Sequence, residues 1–535
     1  MSIVKHIKEH DKLGIYGFGT KVFTVGSGGR FSSIDSALAY IASQTGAVQV
    51  SHSATTGDVT QYSDSVTNLS VDLTSVARAG DLLYFTDDEA GAPTVIGQSY
   101  AVATYYPIYD LRSTTAVLMT GRVGGTNTGV GIELWRPNTY ILLLAPGHHV
   151  LSSNVTLPNL ANIAIVGQSK TNTFLSKSGS AIITYQRHGY FSVSNVCLYG
   201  QDSTVNGAHT LAAYDSTKPF DAGFCVFNIH DIITDVVRPN STGTNDLFLL
   251  RGAAAYISNI QAQERFVTVG TIEVDSLVID NIHLVSSANH HCLILQNTHA
   301  YQFTKPWFLS NLDLIRQDNA AGQSDRVLNV GGQLYSTGGG NREYYLRGVK
   351  VLDLNSANVD QEALSITPSL GDTIYMHDCV VETNGSGGVA DIQFVSALGA
   401  ATVVMDNVRN ISGATPTYTD TSGNITFTNY TPLGTQSLAY AATLAPNANK
   451  GSTIVVGTLT GNVTAVSAPT NPQAGQKLRF VFTQDATAGH TVAGWNAVYK
   501  VHTAVPGGAT NGQKCQIDFE YDGTNWIQIA APVWV

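Results

Sequence analysis

One short motif returns nine times along the middle of the chain, and it limits the folds that this sequence can adopt. Each copy places an Asn, Asp or Gly between two apolar runs, as in LVIDNIHLVS and FLSNLDLIR. These residue types tolerate the left-handed backbone conformation of a sharp bend between two strands. The marker residues are Asn162, Asn195, Asp231, Asn259, Asn281, Asn311, Gly348, Asp378 and Asn407. The motif therefore predicts the same bend at each of these positions.

Successive markers lie 22 to 37 residues apart, with most intervals near 30. A coil whose strands keep their length while its loops vary produces such irregular spacing. We therefore predict an all-β chain built on a right-handed parallel β-helix over residues 138–434, with stacked amides that hydrogen-bond along its axis. A leucine-rich repeat would need a steadier period and an LxxLxL consensus, and an antiparallel sandwich would leave the repeated bend unexplained.

The composition agrees with a mostly β protein and excludes two kinds of partner. Charged residues make up 13% of the 535 residues, against roughly 25% in an average globular domain. The net charge is −11 and the 28 basic residues are scattered, so the sequence lacks the basic stripe of a nucleic-acid-binding protein. No window approaches 18 uninterrupted apolar residues, and we therefore expect no membrane insertion.

The segments before the repeat predict three further units. Residues 1–18 form a short polar leader, which is either a docking peptide or a frayed tail. Residues 19–45 hold a strand, a Gly-rich turn and an amphipathic helix with Ser32 or Ser33 as its N-cap, and we expect this helix to cover the open end of the coil. Residues 46–137 break the pattern and predict an inserted small β-rich domain.

A second change of pattern falls near residue 435, where the marker motif stops. Two-face alternation takes over, as in QKLRFVFTQD, and QKCQIDFEYDGTNWIQIA has the order strand, Asp-Gly turn, strand. This order is a hairpin signal. Residues 435–535 are therefore predicted to form a C-terminal β-sandwich.

Two stretches resemble known families. TVGSGGRFSSIDSALAYIAS followed by ILLLAPG resembles the entry of pectate-lyase-like β-helices, which are common in bacteriophage tailspikes and in carbohydrate esterases and lyases. TLTGNVTAVSAP, FVFTQDATAGHTVAGW and FEYDGTNWIQI resemble a C-terminal β-sandwich of phage tail and other virion structural proteins. The resemblance implies a virion component of the tailspike or tail-fibre type, often a homotrimer, assembled in the host cytoplasm. Its N-terminus would join other virion proteins while the β-helix faces a host surface polysaccharide.

Many proteins of this fold cut polysaccharides with two carboxylates, which act as general acid and as base or nucleophile roughly 5 to 9.5 Å apart. Coils stack about 4.8 Å apart, so carboxylates at matching positions one or two coils apart meet this condition. The candidates are Asp313, Asp318, Asp353, Glu382 and Glu264. Polar loops solvate any β-helix, however, and acidic residues also align by chance. No family catalytic motif is matched, and we predict binding rather than catalysis.

Aromatic side chains in or beside the variable loops are the candidates for sugar binding, because aromatic faces stack on pyranose rings. The candidates are Tyr301, Trp307, Tyr344 and Tyr345. Since Phe308 directly follows Trp307, only one of these two rings is expected to face outwards. His148 and His149 cannot chelate as a pair in a strand, since adjacent residues point to opposite faces. We predict no metal and no cofactor.

Three functions remain open from the sequence. The first is a multivalent adhesive virion protein, which binds a host glycan without releasing product. The second is a polysaccharide depolymerase of the same fold. The third is an architectural capsid or tail decoration that neither binds nor cleaves a glycan.

Overall fold

The computed structural model describes residues 20–60, 63, 65–86, 105–119, 126–178, 181–185, 190–199, 211–214, 226–235, 246–263, 268–286, 292–297, 306–317, 326–332, 342–354, 362–368, 370–384, 390–395, 400–411, 416–420, 425–428, 435–448, 452–470, 472, 475–508 and 510–534. The predicted leader, residues 1–18, lies outside them. Within these ranges the protein is mostly β, with one α-helix and three groups of strands.

The largest group is a parallel sheet of 24 strands in the described residues, wound so that each strand pairs with its equivalents in the preceding and following coils. Strand β11, for example, lies between β8 and β14. The strands are β1 Lys21–Val25, β8 Thr139–Leu144, β9 Gly147–Leu151, β10 Val155–Thr156, β11 Asn162–Gly167, β12 Thr173–Lys177, β13 Ile183–Tyr185, β14 Tyr190–Tyr199, β15 Ala212–Tyr214, β16 Val226–Asp235, β17 Asp246–Gln263, β18 Thr268–Ser286, β19 Leu293–Asn297, β20 Trp307–Arg316, β21 Leu328–Gly332, β22 Glu343–Arg347, β23 Lys350–Asp353, β24 Leu364–Thr367, β25 Thr373–His377, β26 Val380–Thr383, β27 Ile392–Phe394, β28 Ala401–Asp406, β29 Tyr418–Asp420 and β30 Ile425–Thr428. The long parallel sheet that the repeat predicted is therefore present.

Eight of the nine predicted markers adopt the left-handed conformation, with φ between 54° and 60°. They stack in register, because the residues on both sides of each marker pair with the corresponding residues of the next coil. The eight are Asn195, Asp231, Asn259, Asn281, Asn311, Gly348, Asp378 and Asn407. All eight are Asn, Asp or Gly, the residue types that reach positive φ at low cost. The backbone conformation, and not the size of the side chain, therefore selects the residue at the bend.

Asn162 is the ninth predicted marker, and its assignment is wrong. It begins β11, where it pairs with Tyr190, and its φ is not positive. Since Val166 pairs with Ser194, the residue opposite the Asn195 bend is Gly167. The position equivalent to the bend in this coil therefore lies five residues later than the sequence motif indicated.

The marker side chains hydrogen-bond along the axis, as predicted. Asn281 Nδ2 donates to Asn259 Oδ1 at 2.7 Å, and Asn259 Nδ2 donates to Asp231 Oδ1 at 3.3 Å. Asn407 Nδ2 donates to Asp378 Oδ1 in the same way. Each amide therefore ties one coil to the next, in addition to the backbone ladder.

Inward-facing side chains stack over one another and form the core of the coil. One such column of residues paired in register is Ile279, Leu309, Leu346, Met376 and Met405. All five are at most 3% exposed. Burying each side chain of this size contributes about 1.5–3 kcal/mol. The core is thus continuous from coil to coil.

Helix α1, Ile34–Ala42, packs against the first coil. Its N-cap is Ser33, one of the two predicted residues, whose side chain accepts a hydrogen bond from Ser36 N at 3.2 Å. The Asp35 carboxylate in the first turn accepts from Ser152 N at 2.9 Å. The buried helix face and this carboxylate fix the helix to the strands that it covers.

Six strands between α1 and β8 close into an antiparallel barrel. They are β2 Ala47–Val59, β3 Ser65–Thr67, β4 Leu82–Phe85, β5 Tyr105–Ser113, β6 Ala116–Met119 and β7 Asn127–Pro137. The barrel has a core of its own. The chain enters the barrel after Gly46 and leaves it at Asn138, and these two residues are joined because Asn138 N donates to Gly46 O at 2.8 Å.

The C-terminal strands form a separate mixed sheet of seven strands and a pair of two. The predicted hairpin is present, because Tyr521 pairs with Trp526 in antiparallel register. The strands are β31 Thr435–Leu438, β32 Thr443–Leu444, β33 Thr453–Val456, β34 Ala465–Val466, β35 Lys477–Thr483, β36 Tyr499–Lys500, β37 Lys514–Tyr521, β38 Trp526–Gln528 and β39 Val533–Trp534. Among the described residues, no helix has the length and apolar character needed to cross a membrane.

The bend predicts a specific order of stability for two substitutions at Asn281. Asn281→Ala removes the amide that bonds to Asn259 and leaves at φ 55° a residue that tolerates the left-handed conformation less well than Asn, so we expect a loss of about 2 kcal/mol in the free energy of unfolding. Asn281→Gly removes only the amide and is expected to cost about half as much. Denaturant unfolding measures both, and equal losses would contradict the role of the left-handed bend.

Candidate functional site

Three aromatic side chains form a stripe on the outside of the coil, on the strand that precedes the bend. Phe308, Tyr345 and Tyr375 pair in register on β20, β22 and β25. They face outwards because each lies three residues before its marker, while the alternate positions fill the core. We call these three residues the aromatic strip.

The rings of the aromatic strip stack on one another. Phe308 and Tyr345 have centroids 5.0 Å apart with an interplanar angle of 11°, and Tyr345 and Tyr375 are 4.8 Å apart at 9°. Both faces of Tyr345 are therefore covered by neighbouring rings. The strip presents ring edges and tyrosine hydroxyls to the solvent, which is not the face-on stacking that the sequence led us to expect for Tyr345.

A line of polar side chains runs beside the aromatic strip, two residues further along each strand. We call it the polar column, and it consists of Asp280, Ser310, Arg347, His377 and Asp406. Ser310 Oγ donates to Asp280 Oδ1 at 2.7 Å. The column and the strip together form a continuous surface of carboxylates, hydroxyls, cations and aromatic edges over several coils.

Contacts between His377 and two carboxylates order one end of the polar column. His377 lies between two carboxylates, with Nδ1 2.7 Å from Asp378 Oδ2 and Nε2 2.9 Å from Asp406 Oδ2. The hydrogen bond from Asn407, with a smaller effect from His377, lowers the pKa of Asp378. Within the strip, burial and a hydrogen bond to Glu343 raise the pKa of Tyr345.

Two of the four aromatic candidates lie inside the coil. Trp307 is 0% exposed and Tyr344 is 2% exposed, so neither ring is available to a sugar. The Arg342 guanidinium lies over the Trp307 ring at 4.7 Å. The rings of Trp307 and Tyr344 meet edge to face. Phe308, 43% exposed, is the member of the Trp-Phe pair that faces outwards. Tyr301 lies outside the described residues.

The carboxylate candidates occupy different environments. Asp313 is on the surface, with Oδ2 2.9 Å from His283 Nδ1 and Oδ1 3.0 Å from Lys350 Nζ. Asp353 is fully buried and forms a bidentate pair with Arg316, whose Nε donates to Oδ1 at 2.9 Å. Asp318 and Glu264 lie outside the described residues.

The structure does not bring Asp313, Asp353 and Glu382 together as neighbours on successive coils. Asp313 pairs in register with Lys350, Asp353 with Thr383, and Glu382 with Leu352. The three carboxylates therefore belong to three different columns, one of which faces the core. The three acids lie two, five and four residues after their markers, and in a strand a difference of even one residue changes the column, the face or both.

Glu382 does have an acidic neighbour that the sequence alone did not reveal. Asp391 is buried, and this burial, with a smaller contribution from the charge of Glu382, raises its pKa. Its carboxylate accepts hydrogen bonds from Thr383 N at 2.8 Å and from Thr417 N at 2.7 Å. A carboxyl with a raised pKa beside a second carboxylate is the arrangement of an acid and base pair, although the same hydrogen bonds also hold three segments together.

No group of three or more His, Cys, Asp or Glu side chains suited to a metal ion occurs in the described part of the chain. The His148 ring stacks on Phe174 with centroids 4.7 Å apart. His149 Nε2 lies 2.8 Å from the carbonyl oxygen of Ala145. Both imidazoles therefore have contacts of their own.

No protein-family model and no curated protein matches this sequence. Two solved structures are similar to the chain. The Gp54 tailspike of Acinetobacter baumannii bacteriophage AP22, solved in complex with A. baumannii capsular saccharide, shares 11% identity and a TM-score of 0.26 over 81% of this chain and 67% of its own. The tailspike protein gp49 from Pseudomonas phage LKA1 shares 10% identity and a TM-score of 0.25 over 91% and 81%. Both are phage tailspikes, the class that the sequence resembles.

The buried Asp353 predicts a structural role that is separable from any site. Asp353→Asn leaves Arg316 charged and poorly paired inside the core, so we expect the free energy of unfolding to fall by about 3–5 kcal/mol. Asp313→Asn, at a partly exposed ion pair, is the matched control and is expected to cost less than about 1 kcal/mol. Equal losses in urea unfolding would argue against the buried pair.

Proposed function

We propose that this protein is an adhesive component of a phage virion, of the tail spike or tail fibre type, which binds a glycan of the host surface. The observation that carries the proposal is the aromatic strip with its adjoining polar column, exposed along the outside of the coil. Carbohydrate sites combine apolar surface with a few placed polar groups, and this surface offers both.

The direction of the strip fits an extended polymer. The strip and the polar column run along the coil axis, and coils repeat about every 4.8 Å. Successive sugars of a chain lying along the axis would each meet a new set of side chains. Because ring faces within the stack are covered, recognition would use ring edges, the hydroxyls of Tyr345 and Tyr375, and hydrogen bonds from the polar column.

The proposal extends to the architecture and its placement on the virion. We propose that the parallel coil is a right-handed β-helix over residues 138–434, entered through residues 19–45 and interrupted by the barrel of residues 46–137. Residues 435–535 would form a β-sandwich, and residues 1–18 would join other virion proteins. A homotrimer would present three strips, so that avidity strengthens weak individual contacts. The winding of strands from coil to coil supports the β-helix part of this proposal.

A polysaccharide depolymerase is the second candidate function, and Asp391 is the observation that favours it. Asp391, whose pKa is raised by burial, would supply the general acid of a glycosidase, and the neighbouring Glu382 would supply the base or nucleophile. This carboxylate pair differs from the pairs expected from sequence.

One assay distinguishes these functions. The purified protein is incubated with polysaccharides from candidate hosts, fragment size is followed by chromatography, and retention of the protein on intact cells is measured in parallel. We expect retention without fragments. Fragments that disappear in Glu382→Gln would instead establish a depolymerase, while neither retention nor fragments would favour an architectural role.

The edge-on geometry predicts the effect of removing two hydroxyls. The double variant Tyr345→Phe with Tyr375→Phe keeps the stack but loses two hydrogen-bonding groups, so we expect about tenfold weaker binding to the retained polysaccharide. Binding is measured by biolayer interferometry and folding by thermal unfolding, which should not change. Leu370→Ala, at an exposed apolar residue off the strip, is the control. Unchanged affinity in the double variant would exclude the strip hydroxyls as contacts.

A further inference from the structure

Arg347 places a permanent positive charge in the middle of the polar column. It is exposed, lies two residues after Tyr345 on the same strand face, and has Ser310 and His377 as its neighbours on adjacent coils. Within the described part of the chain, no carboxylate oxygen lies within 4.0 Å of its nitrogen atoms. Its guanidinium is therefore available to a ligand.

Three other basic side chains, two of them beyond the bend and one in the polar column, differ from Arg347 because each lies beside a carboxylate. Lys350 and His283 both contact Asp313, at 3.0 Å and 2.9 Å. His377 is held by Asp378 and Asp406. An exposed guanidinium among basic side chains that already contact carboxylates marks the place where an added anion gains most.

The carboxylates near Arg347 are already engaged. Asp280 accepts hydrogen bonds from Ser310 Oγ at 2.7 Å and from Asn311 Nδ2 at 2.9 Å. Asp406 is bound to His377 at 2.9 Å. In the polar column, both acids lie two coils from Arg347, one on each side, which is about 9.5 Å along the axis.

Asp378, on the next coil, is close enough to Arg347 for their charges to interact. The charge of Arg347 lowers the pKa of Asp378, but by less than the hydrogen bond from Asn407 and the contact with His377 do. The Asp378 carboxylate is bound by these two side chains. Because Asp378 is bound by Asn407 and His377, it does not occupy the N–H donors of the Arg347 guanidinium, which stay open to a ligand.

We infer that Arg347 selects a glycan containing an acidic sugar, whose carboxylate binds the guanidinium while the neighbouring sugars are uncharged. This inference rests on the proposed function. A guanidinium presents a planar fork of donors that matches a carboxylate. Asp280 and Asp406 repel further acidic groups two coils away, so a polymer with an acid on every sugar is disfavoured by charge.

The test uses a panel of purified bacterial polysaccharides with one acidic sugar per repeating unit, each in native and carboxyl-reduced form, together with polygalacturonate. The wild-type protein should bind native members of the panel about tenfold more tightly than their reduced forms. Polygalacturonate should bind more weakly than the native members of the panel. Arg347→Gln should bind both forms equally and weakly, and Arg347→Lys should recover part of the preference.

Arg409→Gln is the matched control. Arg409 is also exposed, but it lies after the bend, away from the aromatic strip. Its variant should keep the wild-type preference, and both variants should unfold at the wild-type temperature because both side chains are exposed.

The outcomes separate this inference from the proposal on which it rests. Equal binding of native and reduced polysaccharides by the wild type, or an unchanged preference in Arg347→Gln, would overturn the role of Arg347 and leave glycan binding intact. Strong binding of polygalacturonate would overturn the spacing argument. Absence of binding to every polysaccharide would overturn both the inference and the proposed function.

Discussion

The structure depends on a bend that only a few residue types can make cheaply. At each bend the backbone enters the left-handed region, and eight successive coils place Asn, Asp or Gly there. This bend holds the strands before and after it in the same register from one coil to the next. Both the column of core residues and the outer surface follow from that register, because a shift of one residue would exchange the two faces.

The repeated bend also explains which part of the fold was readable from the sequence. The markers are chemically distinctive, so their conformation and stacking could be predicted at eight positions. Asn162 was misplaced because the equivalent position in its coil is Gly167, and a lone Gly in a β-rich sequence does not stand out. The helix cap and the Asp-Gly hairpin were readable because each depends on a few adjacent residues.

The candidate surface was harder to predict, because it combines residues about 30 positions apart. The adjacency of Trp307 and Phe308 indicates only that one ring faces outwards, and counting back from the bend at Asn311 is needed to show that it is Phe308. Tyr375 and Arg347 emerge only when coils are aligned through their markers. Asp353 looked like a surface acid, and its pairing with Arg316 inside the core depends on the positions of both side chains.

The barrel has a consequence for how such a chain can vary. It leaves the coil after Gly46 and returns at Asn138, and these two residues are joined by a backbone hydrogen bond of 2.8 Å. Entry and exit points this close allow a module to be exchanged, shortened or removed with only a short linker in its place. The junction is therefore a site at which recombination can replace the barrel with another module while the long coil is inherited unchanged.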